Sequence, residues 1–137
     1  LDKRITLKNA FRSKVMPLAA HLYNLPHSDE EFLSRLDSII LANISDPNFS
    51  NEQLAEAFFL SKSTLNRKIK GLLDTTPNDY IRTKRLIVAA QMLTENHCRI
   101  NEVCYSVGFN TPSYFAKCFK KFYGILPAEY MKEHNAD

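Results

Sequence analysis

Residues 100–127 read INEVCYSVGFNTPSYFAKCFKKFYGILP, and residues 51–77 read NEQLAEAFFLSKSTLNRKIKGLLDTTP. The two stretches are copies of one pattern. Arg67 and Lys70 return fifty residues later as Lys117 and Lys120, and Pro77 and Tyr80 return as Pro127 and Tyr130. Leu65, Ile69 and Leu72 return as Phe115, Phe119 and Phe122 at the same offset. Upstream, Leu54-Ala55 returns as Val103-Cys104 at an offset of forty-nine, so the second copy carries one more residue in its turn. Repetition of this kind marks one supersecondary unit used twice. Each copy reads as a short helix, a tight turn and a longer basic helix, the outline of a helix-turn-helix.

Working outward, the rest of the chain reads as helix. Ser28 to Glu31 has the spacing of a capping box, with Ser28 as N-cap, and Phe32, Leu33, Leu36, Ile39 and Ile40 follow at helical spacing. Asp46-Pro47 ends that segment. Ser50 to Gln53 is a second capping box, opening a helix with Leu54, Ala55 and Phe58 inward, and Ser61 caps the next. Thr76-Pro77 and Thr111-Pro112 each pair an N-cap with a proline at the first helical position. The helix from Pro77 runs to about Glu95, with Tyr80, Ile81, Leu86, Ala89, Ala90 and Leu93 as its stripe, and Asn96-His97 as its exit. Gly108 and Gly124 stop the two helices before them, and Pro127 opens a last helix through Tyr130. No alternating β-branched run or Asn-Gly hairpin turn occurs. The expected fold is all-α, about seven helices, with two helix-turn-helix units (about 50–73 and 100–123) joined by a long helix at about 77–95. That helix would be roughly 28 Å long, against about 34 Å between successive major-groove entries on one face of DNA.

Charge is segregated. Residues 29–56 hold seven acids and one base, while residues 61–124 hold eleven bases and four acids. The bases cluster as Lys62, Arg67, Lys68, Lys70, then Arg82, Lys84, Arg85, then Lys117, Lys120, Lys121. Clustered bases suit either a polyanion partner or a solvated helix face. On the long helix of each copy the face opposite the apolar one shows Lys62, Ser63, Asn66, Arg67, Lys70 and Ser113, Lys117, Lys120, Lys121. These side-chain types reach base edges and phosphates in a major groove. The turn needs a residue tolerant of positive φ, which Gly108 supplies in the second copy. The first copy has Phe59 there, so that turn is expected to be wider, or Phe59 packed and the motif distorted.

Other classes find little support. There is no Gly-rich phosphate loop, G-x-S-x-G or H-E-x-x-H, and His21, His27, His97 and His134 are scattered. Neither catalysis, cofactor nor metal is expected. The three cysteines, Cys98, Cys104 and Cys118, lack CxxC spacing and fit a reducing cytosol. Cys104 reads as a small core residue, with Cys98 and Cys118 part exposed. Phe115, Phe119, Phe122 and Tyr123 read as core rather than as a base-stacking platform. A helical protein-interaction or phosphotransfer module is the alternative. The latter would rest on His21, which Pro17 and Pro26 flank too closely. No apolar run is long enough to span a membrane. The start at Leu1, without Met or an apolar leader region, suggests an excised piece.

Residues 29–133 resemble the DNA-binding domain of the AraC/XylS family of bacterial transcription regulators. The 100–127 stretch is close to that family's signature, and residues 54–70 also fit, apart from Phe59. The resemblance implies two helix-turn-helix units in adjacent major grooves of double-stranded promoter DNA, with activation favoured and RNA polymerase as a further partner. It implies base contacts from Ser63, Asn66, Arg67, Ser113, Tyr114 and Lys117. It implies backbone contacts from Ser61, Lys62, Lys70, Thr111, Lys120 and Lys121. Lys117 stands where the family often has Arg and lacks the planar fork, so readout by the second unit is expected to be looser. Residues 1–28, with five bases and one acid, read as a linker or the tail of a preceding domain, and residues 134–137 as a tail. The acidic first helix and basic linker look most like the C-terminal output module of a hybrid two-component protein. Such a protein could dimerise and be membrane-anchored through other parts, with this domain in the cytoplasm.

Overall fold

A computed structural model describes residues 27–95 and 98–135. Among these residues there are seven helices and no strand. They are α1 (His27–Ala42), α2 (Asn51–Ala57), α3 (Lys62–Leu73), α4 (Pro77–Glu95), α5 (Ile100–Ser106), α6 (Pro112–Tyr123) and α7 (Pro127–His134). The expected linker at 1–28, apart from His27 and Ser28, lies outside the described residues, as do Asn96-His97 and residues 136–137. So does His21.

Local chemistry sets most of the boundaries, in two styles. Hydroxyl caps open α3, α4 and α6: Ser61 Oγ accepts from Thr64 N at 3.1 Å, Thr76 Oγ1 from Asp79 N at 3.2 Å, and Thr111 Oγ1 from Tyr114 N at 3.3 Å. A reach-back from the third helical residue opens α2, α5 and α7. Gln53 Oε1 accepts from Ser50 N at 3.0 Å, Glu102 Oε1 from Arg99 N at 3.1 Å, and Glu129 Oε1 from Leu126 N at 3.3 Å. The Ser50 box is therefore half of the expected one. Ser50 Oγ donates to Gln53 Oε1 at 2.7 Å instead of capping a backbone N–H.

Two boundaries differ from expectation. Ser28 is helical rather than an N-cap, since the helix runs through it to His27, and Glu31 lies 2.6 Å from His27, one turn back. Helix α7 continues past Tyr130 to His134, whose ring stacks on Tyr130 at 4.1 Å, so His134 is not tail. Asn135 Nδ2 then donates to the Leu93 carbonyl at 2.8 Å.

The chain divides into two compact units. The first takes α1 with residues 49–81, and the second takes residues 43–48 with everything from Arg82 on. Helix α4 thus gives its first turn to one unit and its remainder to the other.

In the first unit Leu33, Leu36, Ile40, Leu54, Leu65, Ile69 and Tyr80 are fully buried. Leu73 is buried where Leu72 was expected, and Leu72 is half-buried. Phe58 is half-buried, its ring 4.9 Å from Phe32. Tyr80 Oη donates to Asp37 Oδ1 at 2.5 Å inside this core. Burial, then the Asp37 charge, holds the Tyr80 hydroxyl well above its ordinary pKa.

The core of the second unit joins Leu86, Ala89, Ala90 and Leu93 of α4 to Val103, Cys104, Val107, Phe109, Phe115, Phe119 and Tyr130. Cys104 is wholly buried, as a small packing residue. Phe119 packs edge-on to Phe115 at 5.8 Å and to Tyr130 at 5.3 Å. Both phenylalanines are fully buried, and Phe122 and Tyr123 half-buried against them, so this aromatic set is core. Among the described residues no helix is long and apolar enough to cross a membrane.

Candidate nucleic-acid interface

The two helix-turn-helix units are built by the same bonds. In the first, Phe59 N donates to Glu56 O at 3.0 Å and Leu60 N to Ala55 O at 3.0 Å. In the second, Gly108 N donates to Tyr105 O at 3.1 Å and Phe109 N to Cys104 O at 3.0 Å. Each position maps on its partner at an offset of forty-nine, while the caps Ser61 and Thr111 map at fifty. The extra residue of the second turn is therefore Asn110, exposed just before the cap.

Phe59 corrects both expectations for the first turn. It is neither packed nor the cause of a wider turn. It takes φ +55, the left-handed region that Gly108 occupies at φ +88, and its side chain is 91% exposed. The same substitution recurs at the end of the recognition helix. Asp74 has φ +56 where Gly124 has φ +86. So both left-handed positions are glycine in the second unit and bear side chains in the first, at a backbone cost of about 1–2 kcal/mol for a bulky residue.

Helices α3 and α6 turn their apolar faces inward through Leu65 and Ile69, and through Phe115 and Phe119. All twelve residues assigned to DNA contact from the sequence are exposed. On α3 these are Ser63, Asn66, Arg67, Lys62 and Lys70; on α6 they are Ser113, Tyr114, Lys117, Lys120 and Lys121. Ser61 and Thr111, placed as backbone contacts, use their oxygens as helix caps. Lys62 Nζ lies 3.5 Å from Glu52 Oε1, and Lys70 Nζ 3.0 Å from Asp74 Oδ1. Arg67 Nη2 donates to Thr64 Oγ1 at 3.4 Å. Tyr114 is half-exposed, its ring 5.9 Å from Phe109. Lys68 points elsewhere, over the Phe32 ring at 4.9 Å.

The helix-turn-helix domain family matches residues 54–133, more than half of the chain and both units. This chain belongs to the AraC-type helix-turn-helix family. Among its relatives, a histidine kinase of Formosa agariphila is 32% identical over 135 residues, 98% of this chain and 10% of that protein. The transcriptional activator RhaS of Mannheimia succiniciproducens is 33% identical over 132 residues, 94% of this chain and 49% of that protein. The chain thus spans a tenth of one relative and about half of the other. The crystal structure of the C-terminal domain of the two-component response regulator yesN from Fusobacterium nucleatum is 30% identical, with a TM-score of 0.66. The match covers 72% of this chain and 95% of that one.

One part of the basic cluster is not exposed. Lys84 and Arg85 are buried, at 5% and 6% exposure. The Arg85 guanidinium binds three backbone carbonyls: Ile44 O, Val107 O at 2.7 Å and Asp46 O at 2.9 Å. Burial lowers its pKa, and the Asp46 carboxylate opposes that shift. Arg85 so ties residues 43–48 to the turn of the second unit. Gly108 is part of this device, since a Cβ there would overlap the guanidinium and the Ile44 carbonyl. Sequence reading missed this role because a charged residue at helical spacing looks the same whether it faces solvent or a set of carbonyls.

Proposed function

We propose that this chain binds double-stranded promoter DNA sequence-specifically, one recognition helix of each unit entering a major groove. The observation that carries this is the duplicated unit: two capped helices on the same turn geometry, each with an exposed face of Ser, Asn, Arg or Lys. Ser63, Asn66 and Arg67, with Ser113, Tyr114 and Lys117, read bases. Lys62, Lys70, Lys120 and Lys121 meet phosphates; the cap Thr111 keeps a hydroxyl proton to donate there, and Ser61 joins it by turning to a phosphate the proton it gives Thr64 Oγ1 at 2.9 Å. Likeness to a histidine kinase, to an activator and to a response-regulator domain supports a transcription regulator. In this reading residues 29–133 form the output module of a two-component protein, acting as an activator in the cytoplasm with RNA polymerase as a second partner.

Anisotropy of a labelled duplex against rising salt tests the reading. Binding with a steep log–log salt slope, and weaker binding to the single strand, is expected. No duplex binding at low salt contradicts it.

A further inference from the structure

The two units treat their lysines differently. On the first, both proposed phosphate-binding lysines are held by carboxylates of their own unit: Lys62 by Glu52 at 3.5 Å and Lys70 by Asp74 at 3.0 Å. On the second, the repeat replaces Glu52 by Asn101 and Asp74 by Gly124. Among the described residues Lys117, Lys120 and Lys121 have no ion-pair partner. Asp74 carries two costs that Gly124 in the other copy avoids. It occupies a left-handed position that glycine fills in the other copy, at φ +56. It also places a negative charge at the C-terminal end of α3, where the helix dipole disfavours anions.

We infer that Asp74, aided by Glu52, screens the phosphate-binding lysines of the first unit and so sets how tightly, and with what salt dependence, this chain holds any duplex. Lys70 and Lys62 must leave their carboxylates before they meet phosphate, whatever the sequence. Non-specific attraction then falls mainly to the second unit, whose lysines are unopposed. The pairing opposes backbone contact at every site, so it lowers affinity for target and arbitrary duplex alike and leaves their ratio to the base contacts. This rests on the DNA-binding reading above.

The test compares Asp74→Asn with the parent chain on a duplex of arbitrary sequence and on a selected target. Asn tolerates the left-handed backbone and removes the charge. Binding to arbitrary duplex is expected to tighten about two- to fivefold at low salt, and its log–log salt slope to steepen by about one. The target tightens by the same factor, and preference for it is unchanged. Glu52→Gln should act in the same direction through Lys62, and serves if Asp74→Asn does not fold. Glu133→Gln on α7 changes net charge equally and should have no such effect. An unchanged slope in both variants, or the same gain from Glu133→Gln, overturns the proposal while leaving DNA binding intact. A parent chain that binds no duplex overturns the DNA-binding reading, and this inference with it.

Discussion

Phe59 and Arg85 are single residues that the fold uses against their type. An exposed phenylalanine in the left-handed region contributes little packing and incurs a steric cost. Phe59→Gly is therefore expected to stabilise the chain by about 1 kcal/mol, measured by urea denaturation; a destabilised variant would show that the ring makes a contact the geometry does not suggest. Arg85→Ala should act oppositely. It strips three carbonyls of their donor, two in the 43–48 segment and one at the second turn. A loss of about 3 kcal/mol or more is expected, in the same assay, and Gly108→Ala should lose about 2 kcal/mol through strain and overlap. Neither role was legible in the sequence. Residue type alone gave Phe59 a packed place or a distorted turn, and it placed Arg85 in a surface cluster. What decides both is the backbone around them, which comes from parts of the chain far away in sequence.

At the scale of elements, the helices were legible because their ends are local chemistry. Thr76-Pro77 and Thr111-Pro112 start α4 and α6 within four residues of information, and Gly124 ends α6. Ser28 misled because the helix already includes His27, so Ser28 does not stand at its start. Burial joins elements in ways that spacing shows only in part. The stripe of α4 contained Tyr80, yet its bond to Asp37 of α1 has no sequence signature. Tyr80→Phe is expected to cost about 1–3 kcal/mol, read by thermal unfolding, since it leaves a buried carboxylate without that donor. The buried hydroxyls of Tyr80, Tyr123 and Tyr130 all have raised pKa values, chiefly through desolvation. In the folded chain they stay protonated at a pH where the unfolded chain's tyrosines ionise. Their contribution is thus complete below about pH 10 and declines as pH rises beyond it. Urea midpoints across that range should fall, and by less in Tyr80→Phe.

For the whole molecule, duplication was the most legible feature, because an offset of fifty is visible without any structure. The candidate surface was legible where it lies on the exposed faces of α3 and α6, and illegible where acids from α2 and from the end of α3 meet its lysines. If the two units divide the work, substitutions on them should differ in kind. Arg67→Ala is expected to weaken target binding by about 1–3 kcal/mol and relax base choice. Lys120→Ala should weaken binding to all duplexes alike and flatten the salt slope by about one. The most direct test is selection from a randomised duplex pool, with the winner's affinity followed against salt. Two short half-sites about one helical turn apart, bound with steep salt dependence, is the predicted result. A pool that yields no enriched sequence, or a single half-site unaffected by substitutions on one of the two units, would contradict a chain that reads DNA with both.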